Sequence, residues 1–418
     1  MGDADRISGS HREHSIATAI VPGKSVSLTA IQVDMPAPLP LLCTPHALFT
    51  ASMPRSHAKP SVHAAPAPAS GASGAAAPHE IRIGPAGWSY PDWSGYVYPS
   101  PRPKGFHPAT YLAQFFDTIE INTSFYAPLR PDHARQWLER VSANPRFLFT
   151  AKLWQRFTHD PFSSQPGFLE SGSPQAGSTK PSPQGRGSSP AARVKRALAA
   201  LAQPADVDAV RAGFQPLLEA GKLGAVLLQF PFSFHRTNET TAYLEALLQR
   251  FAVYPLAVEV RHASWNAPEA FALLREHRAA FCNIDQPIIG RSLEPSAEST
   301  SSIGYVRLHG RRYDTWFSDD ATIPSHERYN YLYSAEELAP WTARIRTVAA
   351  ETRNVFVVTN NHYLGKAVVN ALQLISLLKG AKVAVPEPLR RQYPELEAIA
   401  NEPPAAPTLF PLTKEVKR

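Results

Sequence analysis

The sequence predicts an α/β chain folded as a single (β/α)8 TIM-like barrel, and three observations carry that expectation. Eight short β-branched or aromatic runs recur along it: Ile81–Gly84, Thr118–Asn122, Phe147–Lys152, Val226–Phe230, Leu256–Arg261, Ala280–Asp285, Gly304–His309 and Val355–Asn360. Helix-patterned stretches separate them, and strands alternating with helices at this spacing imply a parallel sheet. The runs also end in charged, amide or glycine-flanked residues. In a closed barrel the C-terminal strand ends share one mouth, where active sites of this fold are built.

Strand periodicity predicts which polar groups meet there. Side chains alternate faces along a strand, and the outward face of a barrel strand packs on helices. In the seventh run Val306 and Leu308 are the outward pair, so Tyr305, Arg307 and His309 point inward. In the fifth, Val258 and Val260 face out, leaving Glu259 and Arg261 inside. In the second, Ile119 and Ile121 face out, leaving Glu120 and Asn122 inside. The same rule turns Lys152, Gln229, Asn283, Asp285 and Asn360 inward, with Cys282 outward in the packing. A single inward ion pair is as well explained by internal satisfaction of charge. A whole set is not, because each buried ion costs several kcal/mol unless its geometry is very good.

Composition narrows the classes. With 418 residues, one barrel of roughly 250 residues plus appendages is the economical parse. The net charge of +7 is spread out, with no basic run resembling a nucleic-acid tail. Only Cys43 and Cys282 are present, which argues against a disulfide scaffold and fits a reducing cytoplasm. No apolar stretch approaches a membrane span, so no membrane partner is expected.

Residues 1–78 read as a disordered Ala/Pro-rich leader, since the tract Ala51–Pro78 cannot build a core. The barrel is expected over 79–385. Residues 162–190, rich in Gly, Ser and Pro, read as a disordered insert between the third and fourth strands. Helices follow at Ala191–Leu201 and Ala205–Ala220. Gly365–Lys379 is the closing helix, with Val368, Ala371, Leu372, Ile375 and Leu378 at helical spacing. Residues 386–418 form a Pro-interrupted C-terminal tail.

Each strand end suggests a chemistry. Gly84 and Gly87 permit a sharp turn into Trp88, Tyr90, Trp93, Tyr96 and Tyr98, aromatics that either wall a ligand or pack the first helix. Glu120 and Glu259 are carboxylates fit for acid/base work, and His309 titrates near neutrality. Lys152, Arg261 and Arg307 can hold an anion, arginine through its rigid donor fork. Trp88, Tyr126, Gln229, Asp285 and Asn360 are the remaining candidate substrate-binding residues. The amides opening the helix at Gly365 offer another anion site. The full phosphate loop Gly-x-x-x-x-Gly-Lys-Ser/Thr is absent, since Gly23-Lys24-Ser25 has Thr18 where its first glycine would stand, and so are Gly-x-Ser-x-Gly and His-Glu-x-x-His motifs. No cofactor is expected. A divalent metal held by the carboxylates and His309 is the alternative, which few histidines and three cations disfavour.

Taken in order, these phrases resemble the YecE-like family, catalogued as domain of unknown function 72. The resembling blocks are Ile83-Gly84 to Tyr90, Glu120-Ile121-Asn122 to Tyr126-Ala127-Pro128, Phe149-Thr150-Ala151-Lys152 with Thr158-His159, and Leu228-Gln229-Phe230-Pro231. They continue through Val258-Glu259-Val260-Arg261-His262 to Ser264-Trp265, Tyr305-Val306-Arg307-Leu308-His309-Gly310, and Asn360-Asn361 with Gly365 and Asn370-Ala371. The resemblance covers about residues 80–380. It implies a TIM-like barrel with a polar mouth and no established activity. Ala86 stands where the family usually has Ser, and Ala127 where a basic residue is common, departures expected to weaken an anion contact.

The expected function is acid/base chemistry, hydrolysis or isomerisation, on an anionic, phosphate-bearing small molecule or nucleotide. Arg261, Arg307 and Lys152 would bind the anion while Glu120, Glu259 and His309 move protons. A metal-dependent, endonuclease-like barrel acting on nucleic acid is the second reading, and a non-catalytic nucleotide or RNA binding module the third.

Overall fold

The computed structural model describes residues 79–162, 189–316 and 324–401. The leader, most of the insert and the end of the tail, all matters of expectation above, lie outside the described residues.

Eight strands form one sheet: β1 (Glu80–Pro85), β2 (Thr118–Ile121), β3 (Leu148–Lys152), β4 (Leu223–Gln229), β5 (Leu256–Glu259), β6 (Ala280–Asp285), β7 (Ile303–Leu308) and β8 (Asn354–Thr359). Their order is β1-β8-β7-β6-β5-β4-β3-β2, with every ladder parallel. The ends meet through a parallel bridge between Ala86 and Glu120, where the Gly87 N–H donates to the Glu120 carbonyl at 2.8 Å. Gly84 permits this closure: a Cβ there would lie 1.9 Å from the Thr118 carbonyl oxygen. The expected (β/α)8 TIM-like architecture is therefore the observed one.

Ten helices surround the sheet among the described residues: α1 (Pro108–Leu112), α2 (Thr123–Tyr126), α3 (Pro131–Arg140), α4 (Pro190–Leu201), α5 (Pro204–Glu219), α6 (Asn238–Arg250), α7 (Pro268–Glu276), α8 (Ala335–Glu351), α9 (Lys366–Lys379) and α10 (Glu387–Gln392). Several begin with proline, whose missing N–H costs nothing in a first turn. Capping boxes start α6 (Thr237 with Thr240) and α8 (Ser334 with Glu337). No helix among the described residues is long and apolar enough to cross a membrane. The expected tail begins inside the packed structure: Leu389 and Leu396 are buried, and Val383 bridges Ala400.

Register fixes which side chains enter the barrel. Arg307 on β7 reaches β2, β4 and β5, so it crosses the interior. Its ladder partners Ile284 and Val358 therefore face in, as do Cys282 and Phe356 beside Tyr305. The sixth strand is thus one residue out of the expected phase. Asn283 and Asp285 point outward, and Cys282 and Ile284 point in. Phasing by outward hydrophobes failed here because β6 carries a polar outer face. The helix-free segment 286–302 covers that face, and Asn283 bonds Ser296 and the Glu298 backbone.

Candidate active site at the strand tips

Four of the inward residues, Glu120, Glu259, Arg307 and His309, are fully buried, and Arg307 bonds both carboxylates. Arg307 is the hub. Its Nη1 donates to Gln229 Oε1 at 2.9 Å and Glu259 Oε2 at 2.5 Å, and its Nη2 donates to Glu120 Oε1 at 2.8 Å. The ladder between β4 and β5 pairs Gln229 with Glu259. On the far side, Tyr305 donates to Glu120 Oε2 at 2.9 Å, with Thr150 Oγ1 3.0 Å away. Lys152 Nζ lies 4.0 Å from Glu120 Oε1 and over the Phe125 ring.

The second carboxylate, Glu259, is approached from three sides. Arg307 supplies one contact, Arg261 Nη2 donates to Oε1 at 3.0 Å, and His309 Nε2 lies 3.3 Å from Oε1. Burial alone would raise its proton affinity, but Arg307, His309 and Arg261 together hold it well below the usual carboxylate range. His309 moves down from 6.5 because burial penalises the imidazolium more than Glu259 rewards it. The Asn360 amide lies 3.2 Å from His309 Nδ1. An amide N–H donating there assigns the ring proton to Nε2, facing Glu259.

The site departs from the expected open bowl, since even Arg261, its most exposed charged member, is only 7% exposed. Trp316 lies over the Arg261 guanidinium at 5.5 Å and 6.1 Å from the His309 ring.

Three candidate residues stand elsewhere. Trp88 packs edge-on against Trp137 of α3 and near Phe149 on the outer face, because the turn at Gly87 (φ 77°) sends it away from the interior. Asp285, on the outer face of β6, accepts from Arg311, Tyr333 and Trp341. Tyr126 remains on the rim, stacked edge-on against Phe125, its carbonyl accepting from Trp154. Other aromatics after β1 serve packing: Trp93 and Tyr98 are buried, and Tyr90 stacks on His362 at 4.3 Å. Just ahead of α9, Asp92 accepts the Leu364 N–H at 2.6 Å.

Arg307 was expected to bind an anion, but it separates the two carboxylates. A guanidinium there leaves no place for a cation between them. Among the described residues, no group of three or more His, Cys, Asp or Glu side chains is arranged to hold a metal. Thr150 and Trp316 escaped sequence reasoning. Alternation from Lys152 would have found Thr150; Trp316 sits in a loop with no periodic signal.

A barrel whose charged strand tips converge beneath its rim defines the class of protein. The family described as "Protein of unknown function DUF72" matches residues 82–394, and the chain belongs to it. It is 26% identical over 310 residues to the UPF0759 protein YunF of Bacillus subtilis, covering 71% of this chain and 94% of that one. It is similar to the crystal structure of a DUF72 family protein from Thermotoga maritima (TM-score 0.55, 28% identity, 72% of this chain and 100% of that one). A DUF72 family protein from Enterococcus faecalis shares the fold (TM-score 0.53, 22% identity, 73% and 99%).

Proposed function

We propose that the barrel mouth is the site of an acid/base enzyme acting on a small anionic, phosphate-bearing molecule. The observation that carries this reading is the His309–Glu259–Arg261 constellation. Both titratable neighbours have lowered proton affinity, which leaves Glu259 ionised and His309 neutral. A neutral imidazole fixed beside an ionised carboxylate is arranged to accept a proton.

The roles follow from the atoms. Arg261 presents a planar fork suited to phosphate or carboxylate. An anion at Arg261 raises the proton affinity of His309 by simple Coulomb attraction. The ligand thereby arms the base it needs. His309 Nδ1, now held by Asn360, takes the proton, while Glu259 faces Nε2 and stabilises the imidazolium. Arg307, Gln229 and Glu120 hold Glu259 in place, which makes them positioning residues rather than ligand contacts.

A thermal-shift series tests the reading. Inorganic phosphate, pyrophosphate and ribose 5-phosphate should raise the Tm of the wild type and leave Arg261→Ala unmoved. Equal shifts in both proteins would place the anion away from Arg261 and defeat the assignment.

A further inference from the structure

Above β4 and β5 the loops build an aromatic step that the proposed chemistry does not use. Phe232, in the loop after β4, is half-buried, and His235, three residues on, is exposed. His262 follows Arg261 after β5 and is buried. The two imidazoles stack with centroids 3.9 Å apart and planes inclined at 30°. Phe232 stands edge-on to both, 6.1 Å from His235 and 5.2 Å from His262.

The step is held rigidly. His262 Nδ1 contacts the Ser264 hydroxyl at 2.8 Å, and that hydroxyl accepts the Arg236 N–H at 2.9 Å. His262 also bridges Ser292, and the Arg291 carbonyl accepts the Ala263 N–H at 2.8 Å. Its electrostatics are one-sided. Both rings have their proton affinity lowered, first by burial; Arg291 and Arg193 lower His235 further, and His235 and Arg291 lower His262 further. Arg236 completes the surround, with the exposed Glu269 3.5 Å from it. A neutral ring stack open on the His235 side and fringed by guanidinium groups suits a planar, electron-rich ring attached to negative charge. Aromatic faces stack nucleobases regardless of their identity.

We propose that Phe232, His235 and His262 form the platform for the base of a nucleotide whose phosphate is held at Arg261. The main chain supports the link: Arg261 turns into the cluster, while the next side chain, His262, joins the stack. This inference rests on the anion reading of Arg261 and narrows its ligand from phosphate-bearing molecules in general to nucleotides.

Calorimetric titration of the full chain with adenosine 5′-monophosphate, ribose 5-phosphate and inorganic phosphate tests it. The nucleotide should bind about tenfold tighter than the sugar phosphate, the usual worth of one stacked base. His235→Ala and Phe232→Leu should abolish that preference and leave sugar-phosphate affinity unchanged. His235 is exposed, so its variant folds and keeps the test decisive. Equal wild-type affinities for the nucleotide and the sugar phosphate would overturn the platform and spare the anion site. A nucleotide preference surviving both substitutions would also overturn the platform, by placing the base elsewhere. Failure of all three ligands to bind would remove the anion reading and the platform with it.

Discussion

Two buried carboxylate–arginine assemblies sit on opposite faces of the same sheet, and they differ in what surrounds the carboxylate. Outside the barrel, Asp285 accepts four hydrogen bonds: two from Arg311 at 2.8 and 2.7 Å, one from Tyr333 at 3.0 Å and one from Trp341 at 2.5 Å. None of these donors titrates near neutrality, since Arg311 is pushed up by its bond to Asp285 and Tyr333 by burial. Asp285 ties the loop after β7 to α8. Inside, Glu259 has equally close arginines but adds His309, an imidazole whose proton affinity burial lowers. The two regions show that buried charge alone does not mark a site. An imidazole, His309, stands beside Glu259, whereas the donors to Asp285 are arginine, tyrosine and tryptophan.

That contrast can be broken by mutation, beginning with the largest effect. Arg307→Ala should cost about 3–5 kcal/mol in urea unfolding, because it strands two buried carboxylates. A loss below about 1 kcal/mol would mean that Glu120 and Glu259 do not depend on it. Asp285→Asn should cost about 2 kcal/mol, since a neutral amide accepts poorly from Arg311 and Trp341. The outer assembly being structural, anion-induced Tm shifts should survive that substitution. Arg261→Ala should weaken anion binding about tenfold or more, the worth of a charge-assisted hydrogen bond. Its unfolding free energy should change less than that of Arg307→Ala.

The smallest effect concerns pH. His309 has a folded proton affinity below its ordinary 6.5, so just below that pH the unfolded chain binds more protons than the folded one. Stability should therefore be full above pH 6.5 and fall as pH drops beneath it. His309→Asn should flatten that slope in a Tm-versus-pH series. Glu259, with its lowered proton affinity, should add a second loss that starts below its ordinary 4.5 and is complete once it protonates in the folded state. An unchanged slope in His309→Asn would assign the titration to other histidines.

Much of the site was legible because the barrel is a periodic object. Seven of the eight runs obey outward-hydrophobe phasing at their tips, and that rule alone brought Glu120, Lys152, Gln229, Glu259, Arg261, Arg307, His309 and Asn360 together. It failed on β6, where Cys282 and Ile284 are apolar yet inward. The rule presumes a helix over every strand, and here segment 286–302 offers the outer face polar partners instead. Trp88 was misplaced for another reason: it was read from its run of aromatics, and the turn at Gly87 (φ 77°) sends it to the outer face.

The order of strands, their parallel sense and the identity of the charged tips were settled by local pattern, because alternation and helix spacing are properties of neighbouring residues. The division of labour among those tips was not. Which arginine braces the carboxylates, which faces the rim, and whether His309 stays neutral depend on distances between residues up to 187 positions apart and on the water each has lost. Desolvation and Coulomb attraction act through space rather than along the chain, so only the folded barrel decides them.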